Sequence, residues 1–386
     1  MLESHRPLLG PLFRNELEKL WAQRGRTLMI ALLVIVVGGA WLTYRSQQQA
    51  QDSVQQSLVV VKGQLRQLRH QLKTASGGAK AQIASQIRAQ DSVLQQMQKE
   101  GTGINEVQQI RALTVQLRRE PMAQRGSTLE QLALSRALVH HGITYDNPSL
   151  ADGWTLPGAV FASAAMLIFG LVAAGLASDR VSAEFEGRTW GPLLLNAPRR
   201  MVVYGSKLAA ALTVTWAFML AAALGFFVVG SILMGMGKPD VPVLVGVHVA
   251  SFPHVPQLMP TIQPFHTIPQ WLYDLVALGL SMITVGSLVT LFVTLSLVTR
   301  STVLALSVSV AIILSGVLAP VVAHSASWLT VIDPAVYLPL VAAWTGQLAL
   351  QYQVAAFTLE TGLVVTGAWA GAAVLVGLLT IRRLDL

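Results

Sequence analysis

The 386 residues are 53% hydrophobic and only 12% charged, with a mean hydropathy of +0.55, a composition too apolar for a water-soluble domain and suited to a membrane protein of several spans. The absence of cysteine excludes disulfides, thiolate metal sites and cysteine nucleophiles. A net charge of +8 is the ordinary topology signal of Lys and Arg at span ends, so nucleic acid is not expected as a partner.

Residues 1–26 read as an amphipathic helix. Phe13, Leu17, Leu20 and Trp21 recur at helical spacing while Arg14, Glu18, Lys19 and Arg24 take other faces, the pattern of a helix lying in the cytoplasmic membrane interface. Residues 27–43 form the first expected span, closely bracketed by Arg26 and Arg45. The long segment 44–156 then lies outside. In it Leu58, Val61, Leu65, Leu68 and Leu72 alternate spacings of three and four, a coiled-coil seam, and Ile83, Ile87, Leu94 and Met97 form a second arm interrupted by Gln90. The T-A-S-G-G-A-K turn between the arms predicts an antiparallel helical hairpin. Two short arms need a further partner, either the helix around Val107, Ile110, Leu113 and Leu117 or a second subunit. The competing reading of this Gln-rich segment is polar disorder.

The transmembrane part, 157–386, carries five further apolar runs: 157–177, 208–236, 275–298, 302–323 and 361–380. Arg and Lys crowd the segment before the first run, the loop 178–207, the turn at Arg300 and the tail at Arg382 and Arg383, which places all of these and both termini inside. The basic residues of 44–156 do not contradict this, because loops longer than about 60 residues translocate regardless of charge. The loop from Gly237 to Trp271 is broken by Pro239, Pro242, Pro253, Pro256, Pro260, Pro264 and Pro269, and the apolar stretch from His324 to Phe357 by Asp333-Pro334 and Pro339. Short re-entrant or surface-lying helices are expected in both, since irregular backbone at membrane depth must be buried in protein or line a cavity. The fold class is thus an all-α membrane protein of six spans with a large helical extracytoplasmic insertion.

The polar loop 178–207 is the most telling segment. It opens with Glu184, Glu186 and Gly187, continues through Arg188, Thr189 and a leucine run, and closes with Pro198, Arg199, Arg200 and Lys207. A short helix held between two spans can convert a push from a soluble partner into span movement, and Glu184 and Glu186 suit the positive end of such a helix. The order of these residues resembles the first cytoplasmic loop of permease subunits of ABC type-2 transporters, which reads E-x-x-x-G-T, then L-L, then P-x-x-R and a Lys. Glu184 and Thr189 keep that spacing, whereas the glycine is displaced to Gly187 and Arg188 takes its usual place. The F-R-N-E-L-E-K-L-W helix and the terminal R-R-L-D-L extend the resemblance over nearly the whole chain.

The resemblance implies a bacterial cytoplasmic-membrane exporter. It also implies that Phe13, Glu16, Leu17 and Lys19, together with the loop residues, face two copies of a separate ABC ATPase carrying ATP and Mg, and that a second permease chain, identical or homologous, completes the path. Membrane lipid surrounds the spans, and the outer insertion suits an extracytoplasmic partner. Export of peptides, antibiotics, lipids or glycans fits the family.

No phosphate-binding loop occurs in the chain, so nucleotide hydrolysis belongs to another chain, and no cofactor or metal is expected on this one. His140-His141 reads as surface, and Ser315 and His324 fall on different faces of an ideal helix, against a serine protease. Asp274, Asp333 and Glu360 sit near outer span ends, where solvation competes with a role in an exit path. Two other classes fit the composition: a non-transport sensor or assembly scaffold built on the outer coiled coil, and an ion-driven secondary transporter. The latter usually shows paired intramembrane carboxylates or repeated broken helices.

Overall fold

The computed structural model describes residues 9–74, 83–84, 86–88, 106–119, 125–140, 151–189, 200–251, 257–261, 266–322 and 328–383. Its first element, α1 (Leu9–Thr74), is one helix of 66 residues, about 100 Å long. The expected separate interfacial helix and first span are therefore a single rod. No proline follows Pro11 within it, and Gly25, the weak point near the expected bend, lies under the Trp21 ring with 3.2 Å to a would-be Cβ. Helix formation runs through.

Beyond the membrane-length part of α1, Leu65 is buried while Lys62, Gly63, Arg66 and Gln67 are exposed, and Val61, Leu68 and Leu72 are half-buried. That is the inward pattern of the expected seam. Residues 83–84 and 86–88 are helical, whereas Gln90, Leu94, Met97 and the turn after Thr74 lie outside the described residues. Helices α2 (Glu106–Arg119) and α3 (Arg125–His140) pack on each other, with Leu113, Leu132 and Leu138 buried.

The second expected span is broken. Helix α4 (Thr155–Phe161) stops at Ala162 and α5 (Met166–Ala177) starts anew, because Ser163 Oγ donates to Val160 O (2.9 Å) and accepts from Ala165 N (3.2 Å), competing with the helical ladder. After the short α6 (Ser182–Glu186), α7 (Arg200–Met234) begins a full two turns before the expected Leu208. Helices α8 (Gln270–Thr299), α9 (Thr302–Val322) and α13 (Leu359–Arg382) match the three later apolar runs closely.

Five of the described helical stretches are long and apolar enough to cross a membrane: Gly10–Gln49, Met166–Glu186, Arg200–Met234, Gln270–Thr299 and Leu359–Arg382; Thr302–Leu318 is a shorter apolar helix. These fit a multi-pass membrane protein. Their outward faces carry exposed Ile30, Leu33, Leu42, Leu224, Ile232 and Val364, as lipid contact requires.

Helix α8 is the centre of the bundle. Every residue from Thr284 to Thr294 is buried, and α4, α5, α7, α9 and α13 pack around it. Hydroxyls tie it sideways: Ser287 Oγ donates to Thr366 O (2.7 Å), Thr294 Oγ1 to Ala373 O (3.1 Å), and Tyr204 OH lies 2.8 Å from Thr294 Oγ1. In an apolar solvent such bonds and close packing hold helices together. Small residues do the same between α1 and α7, where Val36 fits against Gly225 and Phe226 against Gly39.

The described residues of the proline-rich loop form strands, not the short helices expected. Strand β1 (Pro242–Val245) pairs antiparallel with β4 (His266–Pro269), and β2 (Val249–Ala250) with β3 (Met259–Pro260). Prolines at strand ends leave the ladder intact while forbidding a helix. Helix α3 rests on β1, β3 and β4, and Gly126 lies so close to Pro260 O that a Cβ would fall 1.8 Å from it. The loop before the last span does hold short helices, α10 (Trp328–Ile332), α11 (Leu340–Trp344) and α12 (Gln347–Tyr352), with Tyr337, Leu340 and Val341 fully buried.

Candidate functional site

The described residues of the polar interruption, 178–189 and 200–207, lie at one end of the bundle, the end where Gly377 of α13 meets Tyr204 of α7. There α1 turns Leu20 into an apolar contact with Leu176 and Ala210, flanked by Phe13 and Leu17. This contact places Glu16, one turn away on the same face, beside α7. Lys207 is 1% exposed and its Nζ donates to Glu184 Oε1 (2.7 Å) and Glu16 Oε1 (3.2 Å). Lys19 Nζ adds a looser second cation, 3.5 Å from Glu16 Oε1 and 3.8 Å from Glu184 Oε1. Two carboxylates and two ammonium groups thus join three elements far apart in sequence.

A second ion pair lies one turn further along α1. Arg24 donates to Asp179 and to the carbonyl of Gly175. Arg180, 8% exposed, donates from Nε to Leu176 O (2.6 Å) and lies 3.4 Å from Asp179 Oδ1. Buried charges of this kind cost desolvation and persist only when paired and hydrogen-bonded. Glu184 Oε2 and Arg180 Nη2 are buried and have no hydrogen-bond partner among the described residues.

The opposite face of α6 meets α8 and α9. Ser296 Oγ accepts from Val181 N (3.1 Å) and Ser182 N (2.9 Å) and donates to Ser182 Oγ (3.0 Å). Glu186 caps α9, its Oε1 accepting from Thr302 N (2.7 Å) and its Oε2 from Thr302 Oγ1 (2.8 Å). The Arg300 guanidinium lies over the Phe185 ring at 5.3 Å. Helix α6 ends at Gly187, whose N–H donates to Ala183 O (2.9 Å), and Arg188 follows with φ of 55°. That left-handed position is the one a glycine favours. Gly187 itself, at φ of −77°, has no such need.

Of the residues singled out from sequence, Glu16, Lys19, Glu184 and Lys207 come together, with Phe13 and Leu17 packed beside them. Glu186 faces away, toward Thr302. Gly187, Arg188 and Thr189 are exposed, Arg200 opens α7, and Pro198 and Arg199 lie outside the described residues. Asp274, Asp333 and Glu360 do not form one site. Asp274 accepts from Gln270 Nε2 (2.8 Å), Asp333 accepts from Ser315 Oγ (2.7 Å) and Ala335 N (2.9 Å), and Glu360 is exposed in the first turn of α13. Asp274 and Asp333 are half-buried, and burial raises the Asp333 carboxyl above its ordinary pKa despite its two partners.

Sequence reading treated Arg24 and Arg180 only as topology charges and passed over Asp179, Ser182, Ser296 and Thr302. An Asp-Arg pair directly after an apolar run was the available signal for Asp179 and Arg180. Among the described residues no group of three or more His, Asp or Glu could hold a metal ion.

A family model described as "Protein of unknown function (DUF2705)" matches residues 140–380. Its match covers α4 to nearly the end of α13 and leaves out α1, α2 and all of α3 but His140. No curated protein and no solved structure matches the chain.

Proposed function

The chain belongs to the DUF2705 family, and we propose that it is the membrane permease of an ATP-driven exporter of the ABC type-2 kind. On this reading α1, α4–α5, α7, α8, α9 and α13 supply six spans, with both termini and α6 in the bacterial cytoplasm and the arm of α1, α2, α3 and the strands outside. The observation that carries it is the salt-linked knot of Glu16, Lys19, Glu184 and Lys207. It fastens the short helix α6 to the N-terminal rod and to the base of α7, so a push on α6 is taken up by spans rather than lost in a loose loop. The chain contains no G-x-x-x-x-G-K-[ST] segment, so the motor is a separate ATPase, two copies with ATP and Mg, docked at α6 and at Phe13, Leu17 and Lys19. A second permease chain completes the path.

The test is isolation from the native membrane, followed by ATP-dependent transport in vesicles. Co-purification of an ATPase supports the proposal, and Glu184→Lys with Gly187→Pro should uncouple transport while the protein still inserts. Transport by the purified chain without an ATPase would replace the proposal with an ion-driven mechanism. The arm of α1 beyond the membrane, roughly 45 Å from Tyr44 to Thr74, favours a second reading as an outer scaffold. That reading gains if the isolated complex contains an outer partner and no ATPase.

A further inference from the structure

The two carboxylates of α6 point to different neighbours. Residues two apart on a helix are separated by about 200°, so Glu184 faces Lys207 and Glu16 while Glu186 faces Thr302. The two neighbours are held very differently. Helix α7 belongs to the fastened body: Tyr204 and Thr294 join it to α8, Trp216 Nε1 donates to Met282 O (3.0 Å), and α13 is tied on through Ser287 and Thr294.

Helix α9 is packed along one face, where Ala305, Ser309 and Ile313 are buried, and is held by hydrogen bonds near its two ends. At the start, Glu186 caps Thr302, and Ser182 Oγ lies 3.2 Å from Thr302 Oγ1. Toward the far end, Ser315 Oγ donates to Asp333. Between them Val303, Leu304, Leu306, Val308 and Leu314 are exposed, so much of the α9 surface is free of the rest of the chain.

We propose that Glu186 is the strut through which displacement of α6 moves α9, while Glu184 and Lys207 carry the same displacement to α1 and α7. This inference rests on the coupling role of α6 proposed above. Its physical basis is that a carboxylate bonded to both the backbone N–H and the hydroxyl of the first helical residue fixes position and direction together. Without it the start of α9 keeps its two-residue turn to α8, the Ser182 hydroxyl and its apolar contacts, none of which ties it to the end of α6 by a charged group.

The test uses the cysteine-free chain in lipid nanodiscs, with spin labels on cysteines at the exposed positions Ser307 in α9 and Leu224 in α7. Glu186→Ala should broaden the distance distribution between the labels and speed exchange of the Thr302 amide roughly five- to tenfold, the size of a lost helix cap. Glu186→Gln, which keeps one acceptor oxygen, should fall between. Glu184→Ala should leave the Thr302 amide at the wild-type rate. Wild-type distances and exchange in Glu186→Ala, or an equal effect of Glu184→Ala, would overturn the proposal. In the assembled transporter Glu186→Ala should lose transport and Glu186→Gln should keep part of it; full transport by Glu186→Ala overturns the proposal. If no ATPase accompanies the wild type, the exporter reading fails, and the strut is judged by the nanodisc measurement alone.

Discussion

Lys207 illustrates what a buried charge does in this molecule. Its ammonium is shut away from solvent and faces Glu184 and Glu16 together, so its removal leaves two largely buried carboxylates with only the looser Lys19 beside them. Lys207→Met should lower stability by about 3–5 kcal/mol, read from thermal unfolding in detergent. Adding Glu16→Gln and Glu184→Gln should recover most of that loss. No recovery would mean that packing of the lysine stem, not charge, dominates. Glu184 and Lys207 stood out in the sequence through the order of the polar loop, with Lys207 directly before an apolar run. The bond from Arg24 to Asp179 was not, since it joins positions 155 residues apart and no local pattern pairs them. Arg188 carries a smaller lesson. A side chain at φ of 55° costs roughly 1 kcal/mol or more, so Arg188→Gly should raise the melting temperature, whereas Gly187→Ala, with 3.1 Å from its Cβ to Ala183 O, should not.

Elements that follow one regular period were readable from the chain, and those shaped by single side chains were not. The three-four spacing at Val61, Leu65, Leu68 and Leu72 predicts the inward face of the outer part of α1 because a helix repeats every 3.6 residues whatever surrounds it. The break at Ser163 depends on one hydroxyl finding Val160 O, and the strands β1–β4 depend on pairing across prolines that locally signal only a loop. Leu65→Asp should therefore destabilise the outer region by about 3 kcal/mol or more, while Gln67→Asp, one step round the helix and exposed, should be near neutral. Limited proteolysis on membranes separates the two, and equal sensitivity would remove the seam. Helix α3 adds a pH dependence. Burial pushes the Glu130 carboxyl from 4.5 up to about 7, so its charged form is the disfavoured one in the folded state. The stabilising contribution is complete below pH 4.5 and is lost as pH rises through about 7. Protection of α3 amides, taken relative to their intrinsic exchange rate at each pH, should rise on acidification from pH 8 to pH 5, and Glu130→Gln should flatten that profile.

The whole molecule has two unlike ends, and the exporter reading requires that they face opposite sides of the membrane. One end gathers Arg24, Lys19, Arg180, Lys207, Arg300 and Arg382 around α6; the other carries the arm of α1, the α2–α3 pair and the four strands. On the exporter reading the first end is inside, since Arg and Lys resist translocation in short loops, and 44–156 is outside, since so long a segment crosses despite its basic residues. Absence of native cysteine permits a direct check. Gly63, with nothing within 4 Å of an added Cβ, reports the arm, and Ala183, exposed on α6, reports the opposite end. Gly63→Cys should react with an impermeant maleimide added to intact cells, and Ala183→Cys should react only after the membrane is opened. Protection must come from sidedness and not from burial, which is why exposed Ala183 serves better than Ser182, a residue with no exposed surface. Labelling of Ala183→Cys in intact cells would put α6 outside, away from any ATP, and would remove both the ATPase dock and the strut to α9 as parts of a motor-driven machine.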